Sequence, residues 1–214
     1  MRILPMLATL LLASCAADKP APPKAAETAP VQKEAPPVYK VKFETSKGGF
    51  VVEINQDNAP IGARRFYELC RDGFFDDARF FRVLRKFVAQ FGINKDPEVT
   101  RLWNMKAPLI DDKPKLKNVR GTIAFATSGP NSRRTQVFIN LADNPALDGQ
   151  GFAPIGRIVE GLPVVDELYA KYGDIAQTGG GGPDTRLIEA QGNTYLVRLF
   201  GTLDYIRRTT VLDK

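Results

Sequence analysis

The sequence predicts a mainly β fold, an antiparallel barrel rather than a doubly wound sheet. Two observations carry that expectation. Short runs of apolar and β-branched residues recur at close spacing from residue 39 onward, and only two stretches show a helical period. The 214 residues leave room for one good-sized domain and an appendage, and 43% hydrophobic with 25% charged residues is enough to fill a single core.

The first strands read as a hairpin. Residues 39–44 alternate apolar and polar, Ser46-Lys47-Gly48-Gly49 reads as a turn, and Phe50, Val52 and Ile54 resume the period of two. A helix follows, with Asp57 or Asn58 as its cap and Pro60 near its start, and it stops around Asp72-Gly73. Ala63, Phe66, Tyr67 and Cys70 fall at i, i+3, i+4 and i+7, which puts Cys70 on the buried stripe as an inert thiol. Further strands are expected over residues 79–83, 88–92, 121–126, 136–140, 153–159 and 194–200. The second helix is expected over residues 163–172, with Val165, Leu168 and Tyr169 facing inward.

The chain before residue 39 has another character. Met1-Arg2 precedes a mostly apolar run over residues 3–12, too short to span a bilayer. Leu12-Ala13-Ser14-Cys15 resembles the lipobox of bacterial lipoproteins, which implies a signal peptide over residues 1–14 and a lipid on Cys15. Residues 15–38 then form a disordered Pro/Ala-rich tether, because they hold almost nothing to bury. The folded domain is expected over residues 39–214. On this reading the protein is lipid-anchored in a bacterial cell envelope.

The chain contains no His, which removes the Ser-His-Asp and Cys-His hydrolases and the commonest metal ligand. A net charge of +6 and the pairs Arg64-Arg65, Arg133-Arg134 and Arg207-Arg208 raise nucleic acid as a partner. No basic run or recognition motif supports it, so no nucleic-acid partner is expected. Asp76-Asp77 and Asp111-Asp112 read as solvated turn acids. The glycines at 179–182, without a following Lys, read as a mobile loop rather than a phosphate cradle.

Two stretches carry the chemistry. The first is Phe80-Phe81-Arg82-Val83-Leu84-Arg85-Lys86-Phe87-Val88-Ala89-Gln90-Phe91-Gly92. The second is Gly121-Thr122-Ile123-Ala124-Phe125-Ala126-Thr127-Ser128-Gly129-Pro130-Asn131-Ser132-Arg133-Arg134-Thr135-Gln136-Val137-Phe138-Ile139. In that order and spacing they resemble the F-x-R-V-x-x-x-F-x-x-Q-x-G and G-T-x-x-x-A-x-x-G-P-N-S-x-x-x-Q-x-F-I segments of the cyclophilin-type peptidyl-prolyl isomerases. The resemblance runs from about residue 39 to residue 205. It implies an eight-stranded barrel, closed on itself, with one helix capping each end.

It also implies an activity, acceleration of X-Pro bond rotation in proline-containing polypeptides. That amide has a barrier of about 18–20 kcal/mol because its nitrogen is conjugated to the carbonyl. Lowering it requires no nucleophile, cofactor or metal. It requires an apolar slot for the ring, a hold on the flanking peptide and a donor aimed at the twisted amide. By resemblance Arg82 is the catalytic arginine, which contacts the prolyl carbonyl and favours a pyramidal imide nitrogen, and Gln90 orients it. Phe87, Val88, Phe138 and Leu147 line the proline slot, the Ala126-Thr127 backbone pairs with the peptide, and Gln136 completes the polar side.

Some positions depart from the pattern. Ala146 stands where drug-sensitive members carry Trp, Val88 replaces a commoner Met, and Phe152 is the substitute for a pocket histidine. Arg134 and Arg133 border the groove and are placed to favour acidic flanks. The expected protein is a monomeric isomerase that assists folding of exported proteins. The rival reading is a non-catalytic proline-peptide-binding scaffold lipoprotein, which turnover of an Ala-Pro peptide would exclude.

Overall fold

The computed structural model describes residues 34–212. The predicted signal peptide, Cys15 and most of the tether lie outside them. The hairpin forms as its alternation demands. Strands β1 (Val38–Thr45) and β2 (Gly48–Asn55) pair with Val41 opposite Val52 and Phe43 opposite Phe50. Period two sends these side chains to one face, and all four are buried.

Helix α1 (Pro60–Arg71) follows and buries Ala63, Phe66, Tyr67 and Cys70, the stripe read from the sequence. Burial also pushes the Cys70 thiol well up, as an inert structural cysteine requires. Its cap differs from expectation. Neither Asp57 nor Asn58 caps the helix; the N-cap residue is Ala59, with no side-chain bond. The first free amides instead donate to Asp112 from a distant loop, Ile61 N to Oδ1 at 3.0 Å and Gly62 N to Oδ2 at 2.9 Å. Asp112 is therefore a buried cap and not a solvated turn acid. It also accepts from Arg133 Nη1 at 3.1 Å, and Arg133 is itself buried.

Six more strands complete the sheet: β3 (Arg82–Val83), β4 (Val88–Phe91), β5 (Thr122–Phe125), β6 (Val137–Asn140), β7 (Pro154–Glu160) and β8 (Ile206–Leu212). The order is β3-β4-β6-β5-β7-β2-β1-β8, antiparallel throughout. The sheet curls strongly, because Phe43 on β1 meets Phe91 on β4 edge-to-face at 5.9 Å although five strand steps separate them.

The barrel is nevertheless open, not closed. No ladder joins β3 to β8. Across the gap run an isolated bridge between Arg79 and Tyr205 and backbone bonds such as Phe80 N to Asp204 O, 2.9 Å. The reason lies in β3, which keeps only two ladder residues before the chain turns away. Leu84 N donates to Val88 O and Lys86 takes φ +65° in that turn.

Two helices were expected and six are present among the described residues. Helix α2 (Pro97–Met105) is capped by Asp96, α3 (Pro145–Gly149) is one turn long, and α4 (Leu162–Asp166) is a truncated version of the helix expected over residues 163–172. Val165 and Leu168 are buried as read, but the Tyr169 N–H donates to Asp204 at 2.7 Å instead of continuing the helix. Helices α5 (Thr185–Gln191) and α6 (Asn193–Leu199) close the list. The strand expected over residues 194–200 is thus a helix. It buries Tyr195 and Leu196 with Ile188, Phe81 and Leu203 in a cluster apart from the main core. Gly192, at φ +56°, makes the corner between α5 and α6, where a Cβ would come within 2.0 Å of Lys95 O.

Candidate active site

The register of four strands assembles the site. Arg82 on β3 is opposite Gln90 on β4, Gln90 opposite Phe138 on β6, and Phe138 opposite Ala124 on β5. These residues form one row across the sheet. Alternation sends their neighbours Ala89, Phe91, Val137, Ile139, Ile123 and Phe125 to the other face, into the main core. Val88, Ala124, Phe138 and Leu147 make a separate apolar cluster, with Phe87, Ala126 and Phe152 half-buried against it.

A cavity of about 570 Å³ opens over this row. Every groove residue read from the sequence lines it: Arg82 and Gln90, the apolar Phe87, Val88, Phe138, Leu147 and Phe152, and Ala126, Thr127 and Gln136. The Phe152 ring meets Phe138 edge-to-face at 5.5 Å, so it forms a wall of the slot. The Ala126 N–H is already bonded to Gln136 O at 2.9 Å, so it is not available to pair with a peptide.

The polar side has a fixed direction. Arginine can only donate, so Gln90 turns Oε1 toward Arg82 Nη1 at 3.2 Å and its Nε2 toward Gln136 Oε1 at 3.0 Å. Gln136 is left with its amide hydrogens for Glu189 on α5. Burial raises the Glu189 pKa, against the opposing pull of Arg134 and of the Gln136 bond. At the other end Asp174 grips Arg82, with Nε to Oδ1 at 2.6 Å and Nη2 to Oδ2 at 3.2 Å. Burial acts to raise the Asp174 pKa, but bonds from Arg82 and the Ile175 N–H, with the guanidinium charge, bring it below the usual carboxylate value.

Sequence reasoning missed Asp174, Ile175 and Glu189, which line or brace the groove from outside both motifs. It also missed what holds the slot. Asn144 Nδ2 donates to Phe87 O at 3.0 Å, and Asn118 Nδ2 to Phe152 O at 2.9 Å. Buried Asn140 ties the two together, accepting from Asn144 at 2.7 Å and donating to Asn118 at 3.2 Å. The pattern of three asparagines carried no recognisable spacing. Of the two arginines expected at the groove only Arg134 lines it; Arg133 is spent on Asp111 and Asp112.

The family model described as "Cyclophilin type peptidyl-prolyl cis-trans isomerase/CLD" matches residues 40–185. Peptidyl-prolyl cis-trans isomerase B of Escherichia coli is 33% identical over 136 residues, 60% of this chain and 82% of that protein. A peptidyl-prolyl cis-trans isomerase of Acinetobacter baylyi is 34% identical over 137 residues, 60% of this chain and 70% of that protein. The fold is similar to that of a cyclophilin type peptidyl-prolyl cis-trans isomerase of Cryptosporidium parvum. Its TM-score is 0.60 at 19% identity, covering 83% of this chain and 99% of that one. That protein has also been solved in the presence of the dipeptide Ala-Pro, with TM-score 0.60. A slot of this chemistry, on a sheet of this topology, in a chain matched over most of its length, leaves one conclusion: the chain belongs to the cyclophilin-type peptidyl-prolyl cis-trans isomerases and is an isomerase of X-Pro bonds.

Proposed function

We propose that Arg82 is the group that lowers the rotation barrier and that the apolar cluster beside it holds the proline ring. The observation that carries this is the single cross-strand row. It sets a guanidinium, 5.7 Å from the Phe87 ring centroid, at the rim of a slot floored by Phe138 and Ala124. Burying the pyrrolidine against Phe138, Leu147 and Phe152 fixes one side of the bond. The other side is then free to turn while Arg82 donates to the carbonyl. As the bond twists, conjugation is lost and charge redistributes between nitrogen and oxygen, so a fixed cationic donor stabilises the twisted state more than the planar one. Gln90 holds the guanidinium and Gln136 holds Gln90. No step transfers a proton, which suits a site without His.

The test is a protease-coupled isomerisation assay on an Ala-Pro peptide. Arg82→Ala should lose about two to three powers of ten in kcat/KM while remaining folded, the typical cost of one preorganised donor. Arg82→Lys should recover little, because an ammonium cannot reproduce the fork. Near-normal turnover in the alanine variant would reject the assignment.

We further propose that the clients are exported proteins. The support is the lipobox-like Leu12-Ala13-Ser14-Cys15 and the Pro/Ala-rich residues after it. Two or more acyl chains on Cys15 anchor firmly, at roughly 0.8 kcal/mol per buried methylene. In cells, the wild-type chain should fractionate with membranes and Cys15→Ser should not. Equal membrane recovery of both would reject the anchor.

A further inference from the structure

We propose that Asp174 is a positioning residue for the isomerase, holding Arg82 in the orientation that faces the groove. This rests on the reading of Arg82 as the catalytic group. A guanidinium has five N–H donors. Asp174 takes two of Arg82's, through Nε and Nη2, and Gln90 takes one through Nη1. Two remain for a substrate carbonyl. The carboxylate and the amide approach different nitrogens, so together they fix both the position and the plane of the group.

An arginine at the rim of an open groove otherwise samples many rotamers. Its side chain here is 19% exposed and that of Asp174 is 30% exposed. An ion pair so placed contributes little to stability. Its value is geometric, since two parallel bonds define an orientation that a single bond does not.

The fold around Asp174 is built to hold it. The carboxylate also accepts from the Ile175 N–H at 2.8 Å, while the Asp174 carbonyl accepts from Gly182 N at 2.8 Å. Gly180 N donates to Ile175 O at 3.1 Å. A Cβ on Gly180 would come within 2.1 Å of Asp174 O, and one on Gly182 within 2.6 Å. The glycines at 179–182 are thus a tight return that wraps the backbone of Asp174. This explains a tract that has no phosphate-binding lysine.

The alternative is that Asp174 restrains Arg82 and competes with substrate. The two readings give opposite signs. In the full chain, Asp174→Asn keeps an acceptor for Ile175 N and removes the charge and one arm of the fork. We expect kcat/KM to fall roughly ten- to a hundredfold, the range for losing a bond to a charged group. The loss should lie in kcat, with KM within about twofold, and Asp174→Glu should recover part of it. The same substitution placed in Arg82→Ala should have no further effect, because Asp174 acts only through Arg82. Unchanged or raised activity in Asp174→Asn overturns the proposal, and so does an added loss in the Arg82→Ala background, which would mark a structural role. Full activity in Arg82→Ala alone would reject the catalytic assignment of Arg82, and this inference would fall with it.

Discussion

Arg82 and Arg133 are chemically identical and have opposite fates, set by what surrounds each. Arg82 lies half-buried at the groove with two donors unspent, whereas Arg133 is buried between Asp111, Asp112 and the Ile110 carbonyl. Asp112 has two duties, neutralising Arg133 and capping α1, and neither can be taken over by water at a buried position. Asp112→Ala should therefore destabilise the fold by about 3 kcal/mol, the lower end of the range for breaking a buried pair, since Asp111 still binds Nε. Asp111→Ala, at the exposed end of the pair, should cost about 1 kcal/mol or less. Urea unfolding at constant m measures both, and equal losses would show that the buried pair is not the anchor proposed.

At the scale of elements, the site is a product of register. Shifting β4 by one residue would bury Gln90 in the core and turn Ala89 to the groove. The α5–α6 pair adds the outer wall, placing Glu189 at the cavity while its buried face covers Phe81, the neighbour of Arg82. Its corner depends on Gly192, whose φ of +56° and contact with Lys95 O leave no space for a side chain. Gly192→Ala should lower stability by about 1–3 kcal/mol. An unchanged urea midpoint would mean the corner yields without cost. Thr194, Tyr195, Val197 and Phe200 favour a strand over residues 194–200. The apolar surface offered by Phe81, Ile93 and Leu203 overrode that preference, and a helix was the form that buried Tyr195 and Leu196 together.

For the whole molecule, the sign of the alkaline response follows from two buried groups. Burial raises the pKa of the Cys70 thiol and of the Tyr39 hydroxyl, whose ordinary values are 9.0 and 10.0. The folded chain keeps both protons where the unfolded chain loses them. The contribution of these two groups is constant below about pH 8 and falls as pH rises through 9 to 10, because unfolding then releases protons. The urea midpoint should drop between pH 8 and pH 10.5, with a shallower drop in Cys70→Ala. A midpoint flat to pH 10.5 would contradict the burial of both groups.

The sequence by itself determined whatever depends on neighbours along the chain. Alternation set the β1–β2 hairpin, a helical period set the α1 stripe, and the two motifs placed eight residues around one cavity. Local periodicity is enough for that, because a strand's faces are decided two residues at a time. Only the tertiary structure decided which partner reaches a group from far away. Asp112 meets Ile61 across 51 positions, and Asp174 meets Arg82 across 92. An isolated Asp in a loop has the same local signal whether it ends in water or on a guanidinium. The open edge of the sheet was hidden for the same reason: β3 stops after two residues, and whether so short a strand reaches β8 depends on a contact between distant parts of the chain.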